Sequence, residues 1–167
     1  SRKAIKLILN SIVPAMKKNN KDSINSLLKA ANLAGQAINI TRTTAPHAIS
    51  YPLTKNFGLP HGHAVAITLG KFFILNNSLN NLNEKRGKNY LKKTMREIFT
   101  LFQCDNGIDC SNKWYEIMKS VDLETDIKKL GISKDSDIKK IISSVDFNRL
   151  NNNPISLSSN DLNFIFK

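Results

Sequence analysis

Apolar residues recur every three or four positions along much of this chain, which is the spacing of one face of an α-helix. Residues 2–18 show this spacing and predict an amphipathic helix. Residues 23–40, with Asp22 as a cap, predict a second helix. Its apolar face is rich in small side chains, among them Gly35, which allow another helix to approach closely. We therefore expect this second helix to be buried and central.

The next segment has a different character. Residues 41–60 are moderately apolar but are interrupted by Pro46, Pro52, Gly58 and Pro60. Such breakers predict short helical turns joined by fixed bends. Residues 61–77 follow as an almost continuous apolar run. A run of that length predicts a helix that is buried on most sides.

The second half of the chain predicts weaker, more polar helices and no strands. No segment keeps a two-residue alternation, and no internal repeat is visible. The predicted elements are helices over 84–102, 111–121 (capped by Ser111) and 133 or 135 to 144, a turn at 151–154, and a last helix through Phe166 opened by a capping box at Ser158. The pattern predicts an all-α fold and a single domain over residues 1–167.

The charge of the chain raises the question of nucleic-acid binding. There are 25 Lys and Arg against 13 Asp and Glu, a formal net charge of +12. The basic residues are spread in pairs along the chain, however, and aromatic residues do not alternate with them as a base-stacking surface requires. We interpret the charge as solvated helix faces and predict no nucleic-acid partner.

Several features bear on the compartment. No apolar run is long enough for a membrane span, and the first helix has no signal-peptide cleavage site. Cys104 and Cys110 lack the spacing of a zinc knuckle or a redox pair, and two cysteines fit a reducing cytosol. We predict a cytoplasmic protein without a membrane partner. Because the chain begins at Ser1-Arg2 and enters a helical pattern at once, we expect it to be a piece of a longer or processed protein.

The candidate chemistry is concentrated in three histidines, His47, His61 and His63, which fall within seventeen residues. In one straight helix His47 and His61 would lie roughly 21 Å apart, too far for one ion. The Pro and Gly breakers between them permit the chain to fold back, so that both imidazoles could hold Zn²⁺ or Fe²⁺. His61 and His63 point in opposite directions on a helix and can hardly share an ion. Spacing alone leaves two interpretations open, a metal site and histidines that pack or cap.

The segment TTAPHAISYPLTKNFGLPHGHAVAITL resembles the second signature of the iron-containing (group III) alcohol dehydrogenases. In that signature a His is followed four residues later by a second position, here Tyr51, and fourteen residues later by the His of a Pro-His-Gly. AANLAGQAI and the tail NNNPISLSSNDLNFIF are similar to further segments of the family. The resemblance covers the whole chain. It implies the helical C-terminal domain of the dehydroquinate synthase-like fold.

By that resemblance His47 and His61 are two of four ligands of a catalytic Fe²⁺ or Zn²⁺. The other two ligands, an Asp and a His, would precede Ser1, as would the α/β domain that binds most of the NAD(P)H. The chain has no Gly-rich phosphate loop, which agrees with that organisation. The intact enzyme would transfer a hydride between NAD(P)H and a small aldehyde, whose carbonyl the metal polarises. The chain alone is expected to bind metal weakly and to be inactive.

The resemblance also implies substrate contacts. Tyr51 stands where many members have His, close to substrate and nicotinamide, and either orients a substrate oxygen or fills space. His63 either touches substrate or packs. The wording of the signature looks most like the branch that includes phosphonoacetaldehyde reductases, and Arg42 and Lys55 could supply positive charge for a phosphonate.

Two other functions remain open. A dehydroquinate synthase-like lyase also has a His followed by His-Gly-Glu, but here His63 replaces the Glu. A non-catalytic helical module that binds a partner is the second alternative. The expected partners of the dehydrogenase are the N-terminal half of the same enzyme and possible further copies of the chain, since a separated domain exposes apolar surface.

Overall fold

The computed structural model describes residues 1–166, and within that part the fold is all-α, as predicted. The helices are α1 (Arg2–Lys18), α2 (Lys21–Thr41), α3 (Ala45–Phe57), α4 (His61–Ser78), α5 (Lys88–Phe102), α6 (Gly107–Ser120), α7 (Asp135–Ser143), α8 (Phe147–Leu150) and α9 (Ser159–Ile165). Among these residues there is no sheet, only an isolated bridge between Leu82 and Ile155. No helix in the described part is long and apolar enough to cross a membrane.

The core lies around α3 and α4, which pack on each other, and α4 also packs on α5, α6 and α9. Helix α4 is buried on most sides, as its apolar run predicts, and Phe72 is only 2% exposed. Ile49 and Leu53 of α3 are fully buried against it. Side chains of α7, α8 and α9 close the core from the far end of the chain. The segment that contains the three histidines therefore belongs to helices that form the core.

Helices α1 and α2 form a hairpin that is much less buried. Helix α2 packs on α1, and α1 makes a small contact with α5. The expectation of a buried, central second helix is wrong: Ala30 is the only residue of α2 that is buried. The small-residue face around Gly35 is suited to close packing, but none of residues 1–166 covers it, and nothing lies within 4 Å of a Cβ built at Gly35.

Two predicted helix caps are also wrong, for the same reason. Helix α2 begins at Lys21 rather than after Asp22, and the side chain of Asn20 accepts a hydrogen bond from the Ser23 N–H at 2.8 Å. Helix α6 likewise begins at Gly107 and is capped by Asn106, not by Ser111. An Asn two to five residues upstream is an equally good cap, and one more turn of helix satisfies more backbone groups. The capping box at Ser158 is confirmed.

The bends expected in residues 41–60 are partly wrong. Residues Ala45–Phe57 form one continuous helix with Pro52 inside it. A proline costs a helix one hydrogen bond and some crowding, and burial of Pro52 in the core offsets that cost here. The chain turns at Arg42–Thr44, before α3, and again at Gly58, which has a φ of 69° and ends α3.

Candidate metal centre

The path of the chain between α3 and α4 brings two distant positions together. Gly58 adopts the left-handed conformation, and the next two residues, Leu59 and Pro60, lead into α4, which begins at His61. Three residues span about 10 Å when extended, which is close to two turns of helix. The start of α4 can therefore lie beside the first two turns of α3 rather than beside its end.

His47 and His61 are brought together by this return. The ring centroids are 5.5 Å apart, with an angle of 62° between the ring planes. His47 lies in the first turn of α3 and is half-buried, while His61 is the first residue of α4 and is exposed. Two imidazoles thus converge on one edge of the domain, although fourteen residues separate them in the sequence.

Ser50 fixes the orientation of His61. The Ser50 hydroxyl donates to the His47 carbonyl oxygen at 2.7 Å, so its proton is already committed. The same Oγ lies 3.2 Å from Nδ1 of His61, and it can only accept there, from an Nδ1–H. A neutral ring that donates from Nδ1 presents Nε2 as its acceptor nitrogen. A metal-binding histidine is usually held in this way, by a hydrogen bond at its other ring nitrogen.

Ser50 was not among the residues predicted from the sequence. It is fully buried, and a buried hydroxyl needs partners within hydrogen-bonding distance. The available signal was its position three residues after His47, which places both on the same side of a helix. That signal is weak, because the partner on α4 cannot be identified without the fold.

The electrostatics at His47 favour a neutral ring. Burial lowers the pKa of His47, and repulsion from the neighbouring His61 lowers it further. Metal ligation requires an unprotonated imidazole nitrogen, so the lowered pKa keeps His47 in the form that can bind.

Tyr51 lies beside His61, on the same turn as Ser50. The Tyr51 ring centroid is 5.9 Å from that of His61, and 49% of the residue is exposed. The guanidinium carbon of Arg149, from α8, lies 4.5 Å from the centroid of the Tyr51 ring. Arg149 was not predicted either, since it is almost a hundred residues from Tyr51 in the sequence.

The remaining predicted residues lie elsewhere. Nε2 of His63 lies 2.7 Å from the Glu124 carbonyl oxygen, to which it can donate, so His63 is held on the side of α4 away from His61. Lys55 is exposed on α3, one turn beyond Tyr51. Arg42 ends α2 and lines a cleft with residues of α4 and α5 that does not include the histidines.

The donor set supports half of a metal site. Within residues 1–166 no group of three or more His, Cys, Asp or Glu side chains is placed to hold a metal ion. Two imidazoles, one with its free nitrogen fixed by Ser50, fit the chemistry of Fe²⁺ or Zn²⁺. A tightly bound ion needs more ligands than these two imidazoles.

Comparison with known proteins gives this geometry a context. The model of the Fe-containing alcohol dehydrogenase family, C-terminal part, matches residues 1–167. The phosphonoacetaldehyde reductase of Streptomyces viridochromogenes is 38% identical over 72 residues, which are 42% of this chain and 18% of that enzyme. The 4-hydroxybutyrate dehydrogenase of Clostridium kluyveri is 29% identical over 108 residues, 63% of this chain and 28% of that enzyme.

The fold is also shared with solved structures. The sulfoacetaldehyde reductase of Bifidobacterium kashiwanohense, solved in complex with NAD⁺, superposes with a TM-score of 0.81 at 21% identity. The superposition covers 99% of this chain but 41% of that one. The chain therefore spans about two fifths of the length of this relative and matches still smaller shares of the other two.

Proposed function

Because the chain belongs to the iron-containing alcohol dehydrogenase family, we propose that it is the metal-binding C-terminal half of an NAD(P)-dependent enzyme that reduces a small aldehyde to its alcohol. The observation that carries this proposal is the convergence of His47 and His61, with Ser50 between them. A family match without two facing imidazoles would leave the chain without a means of binding the metal.

His47 and His61 would hold the ion from α3 and α4. When bound, Fe²⁺ or Zn²⁺ would act as a Lewis acid on the carbonyl oxygen of the substrate. The contribution of this chain is to orient the ligands. Ser50 contacts the His61 ring at Nδ1, which leaves Nε2 for the ion, and burial lowers the pKa of His47.

Tyr51 is the side chain best placed to meet the substrate. It is half-exposed and lies next to His61, with a hydroxyl group that can donate to or accept from a substrate oxygen. Lys55 lies one turn further along the same face of α3. The hydrogen bond from His63 to Glu124 supports a packing role for His63 rather than a substrate contact.

The substrates of the similar enzymes suggest which kind of substrate this enzyme takes. Phosphonoacetaldehyde and sulfoacetaldehyde each carry an aldehyde at one end and an anionic group at the other, and 4-hydroxybutyrate carries an alcohol and a carboxylate. We propose a substrate of this kind, with phosphonoacetaldehyde first, because that relative has the highest identity of the three. Positive side chains near the histidines are consistent with an anionic substrate.

The cofactor and the missing ligands would come from the other half of the enzyme. The exposed small-residue face of α2 is a surface suited to close packing against that half. On this view NAD(P)H is bound mainly outside this chain, in a cytoplasmic protein, and the isolated chain is inactive.

The test is an assay of the full-length protein. We expect oxidation of NADH or NADPH, followed at 340 nm, with phosphonoacetaldehyde as substrate, together with stoichiometric metal by elemental analysis. His47→Ala and His61→Ala should each lose both metal and activity, whereas His63→Gln should keep the metal. Absence of metal and of reduction with every aldehyde tried would instead favour a non-catalytic helical module.

A further inference from the structure

The side chain of Arg149 is held over the Tyr51 ring at the edge of the histidine pair. The guanidinium carbon is 4.5 Å from the ring centroid, within cation–π range. Such a contact at an exposed site contributes little to stability. Its main effect is therefore on orientation, since it restricts a long and otherwise flexible side chain to one position.

Helix α8, which carries Arg149, is itself fixed to the segment before α3. The Asn152 side chain donates to the backbone carbonyl oxygens of Thr41 and Thr43, at 3.2 and 2.6 Å. Asp146 caps α8 by accepting from the Asn148 N–H. The two bonds of Asn152 cross more than a hundred residues of sequence and tie the end of α8 to the segment before α3.

The guanidinium group keeps a free edge. Its Nε donates to Asp146 at 3.3 Å, and among residues 1–166 this is the hydrogen bond that the Arg149 side chain makes. The two terminal nitrogens point to no acceptor in the described part of the chain, and 55% of the side chain is exposed. A planar pair of N–H groups is suited to bidentate contact with a phosphonate, sulfonate or carboxylate.

The distance to the histidines suits a short substrate. The guanidinium carbon of Arg149 lies 4.5 Å from the Tyr51 ring centroid, and that centroid lies 5.9 Å from the ring centroid of His61. The sum of these two distances is the upper limit for the separation between the Arg149 guanidinium carbon and the His61 ring centroid. A two-carbon aldehyde with its oxygen near the histidines would have its other end close to Arg149. Asp146 offsets part of the positive charge of Arg149 but contacts only its Nε.

We propose that Arg149, stacked on Tyr51, binds the anionic end of the aldehyde and so determines the substrate class of this enzyme. The proposal rests on the proposed function and deepens it. It assigns the main anion contact to a residue of α8, ahead of Lys55 on α3 and of Arg42, which lies in a separate cleft.

The test compares Arg149→Gln in the full-length protein with the matched control Arg96→Gln, an exposed arginine on α5. The readout is the ratio of kcat/KM for phosphonoacetaldehyde to that for propanal. Loss of a charged hydrogen-bonding partner is worth about 1.5–3 kcal/mol, so we expect this ratio to fall about 10- to 100-fold, mainly through KM. Arg149→Lys should restore part of the ratio, and Arg96→Gln should not change it.

A binding measurement tests the role of Arg149 separately from the proposed aldehyde reductase activity. By calorimetry, Arg149→Gln should weaken the binding of methylphosphonate, which cannot be reduced, by a similar factor. An unchanged ratio and unchanged methylphosphonate affinity would overturn the role of Arg149 while leaving the aldehyde reductase intact. A raised KM for NAD(P)H with no effect on the aldehyde would also overturn it. Methylphosphonate binding that depends on Arg149, without reduction of any aldehyde, would instead refute the proposed function.

Discussion

The two helical hairpins of this chain have similar apolar content but opposite surroundings. In the α3–α4 hairpin, Ile49 is fully buried and α4 contributes seven buried residues. In the α1–α2 hairpin, Ile40 is 83% exposed and α2 contributes a single buried residue, Ala30. The comparison teaches that an apolar helical face shows where packing is possible. Which partner covers it, and whether that partner is in the same 166 residues, is a separate question.

The most direct way to test the difference is one substitution made in both hairpins. Ile49→Ala leaves a cavity in the core and should lower the free energy of unfolding by about 2–5 kcal/mol. Ile40→Ala removes little buried surface and should change it by less than about 0.5 kcal/mol in the chain of residues 1–167. Urea unfolding followed by circular dichroism measures both. Equal losses would mean that α2 is as well packed as α3.

Two glycines extend the comparison, because replacement by alanine should lower the free energy of unfolding at one of them and raise it at the other. A Cβ at Gly107, where α6 meets α4, would lie 2.4 Å from the Phe73 carbonyl oxygen, and backbone cannot move aside easily. Gly107→Ala should therefore destabilise by about 1–3 kcal/mol.

The matching change in the α1–α2 hairpin is Gly35→Ala, at a position open to solvent in α2. It should stabilise the chain by up to about 1 kcal/mol, since alanine is the better helix former. Thermal unfolding of the two variants side by side provides the measurement. A loss of stability from Gly35→Ala would indicate a close contact on that face.

A further expected effect concerns the metal, and it tests whether the packed α3–α4 hairpin orients the candidate ligands His47 and His61. Ser50→Ala removes the hydrogen bond that orients His61, and changes of this kind cost about 10- to 100-fold in metal affinity. Ser111→Ala, also at a buried serine but in α6, is the matched control and should leave the affinity unchanged. Competition with a chelator in the full-length protein would measure both. If the two variants lose metal equally, Ser50 has no specific role.

Much of the fold could be predicted from the sequence, because helical periodicity and capping are local. Helix α1 matches its predicted bounds, and the capping box at Ser158 follows from four adjacent residues. The caps of α2 and α6 were misplaced because two polar residues near each start could serve, and sequence does not rank Asn20 above Asp22. Pro52 was misjudged as a break because the burial that offsets its cost depends on the tertiary fold.

The candidate site was predictable only where its chemistry is local. His47 and His61 stand out as histidines in a segment rich in Pro and Gly, and the family signature names them. Ser50 acts across two helices, and Arg149 reaches Tyr51 from a helix near the other end of the chain. No rule of spacing connects these residues, since the packing of α4 on α3 creates the first contact and the packing of α8 on α3 creates the second.

The short connection between α3 and α4 has a consequence for how the site forms. Bringing His47 and His61 together closes a loop of only fourteen residues, and the entropy lost on closing a loop rises with its length. Elements that depend on such local contacts tend to form quickly, whereas the contact of Arg149 with Tyr51 must wait for the tail to dock. During folding, the contact between His47 and His61 can therefore form before the contact of Arg149 with Tyr51.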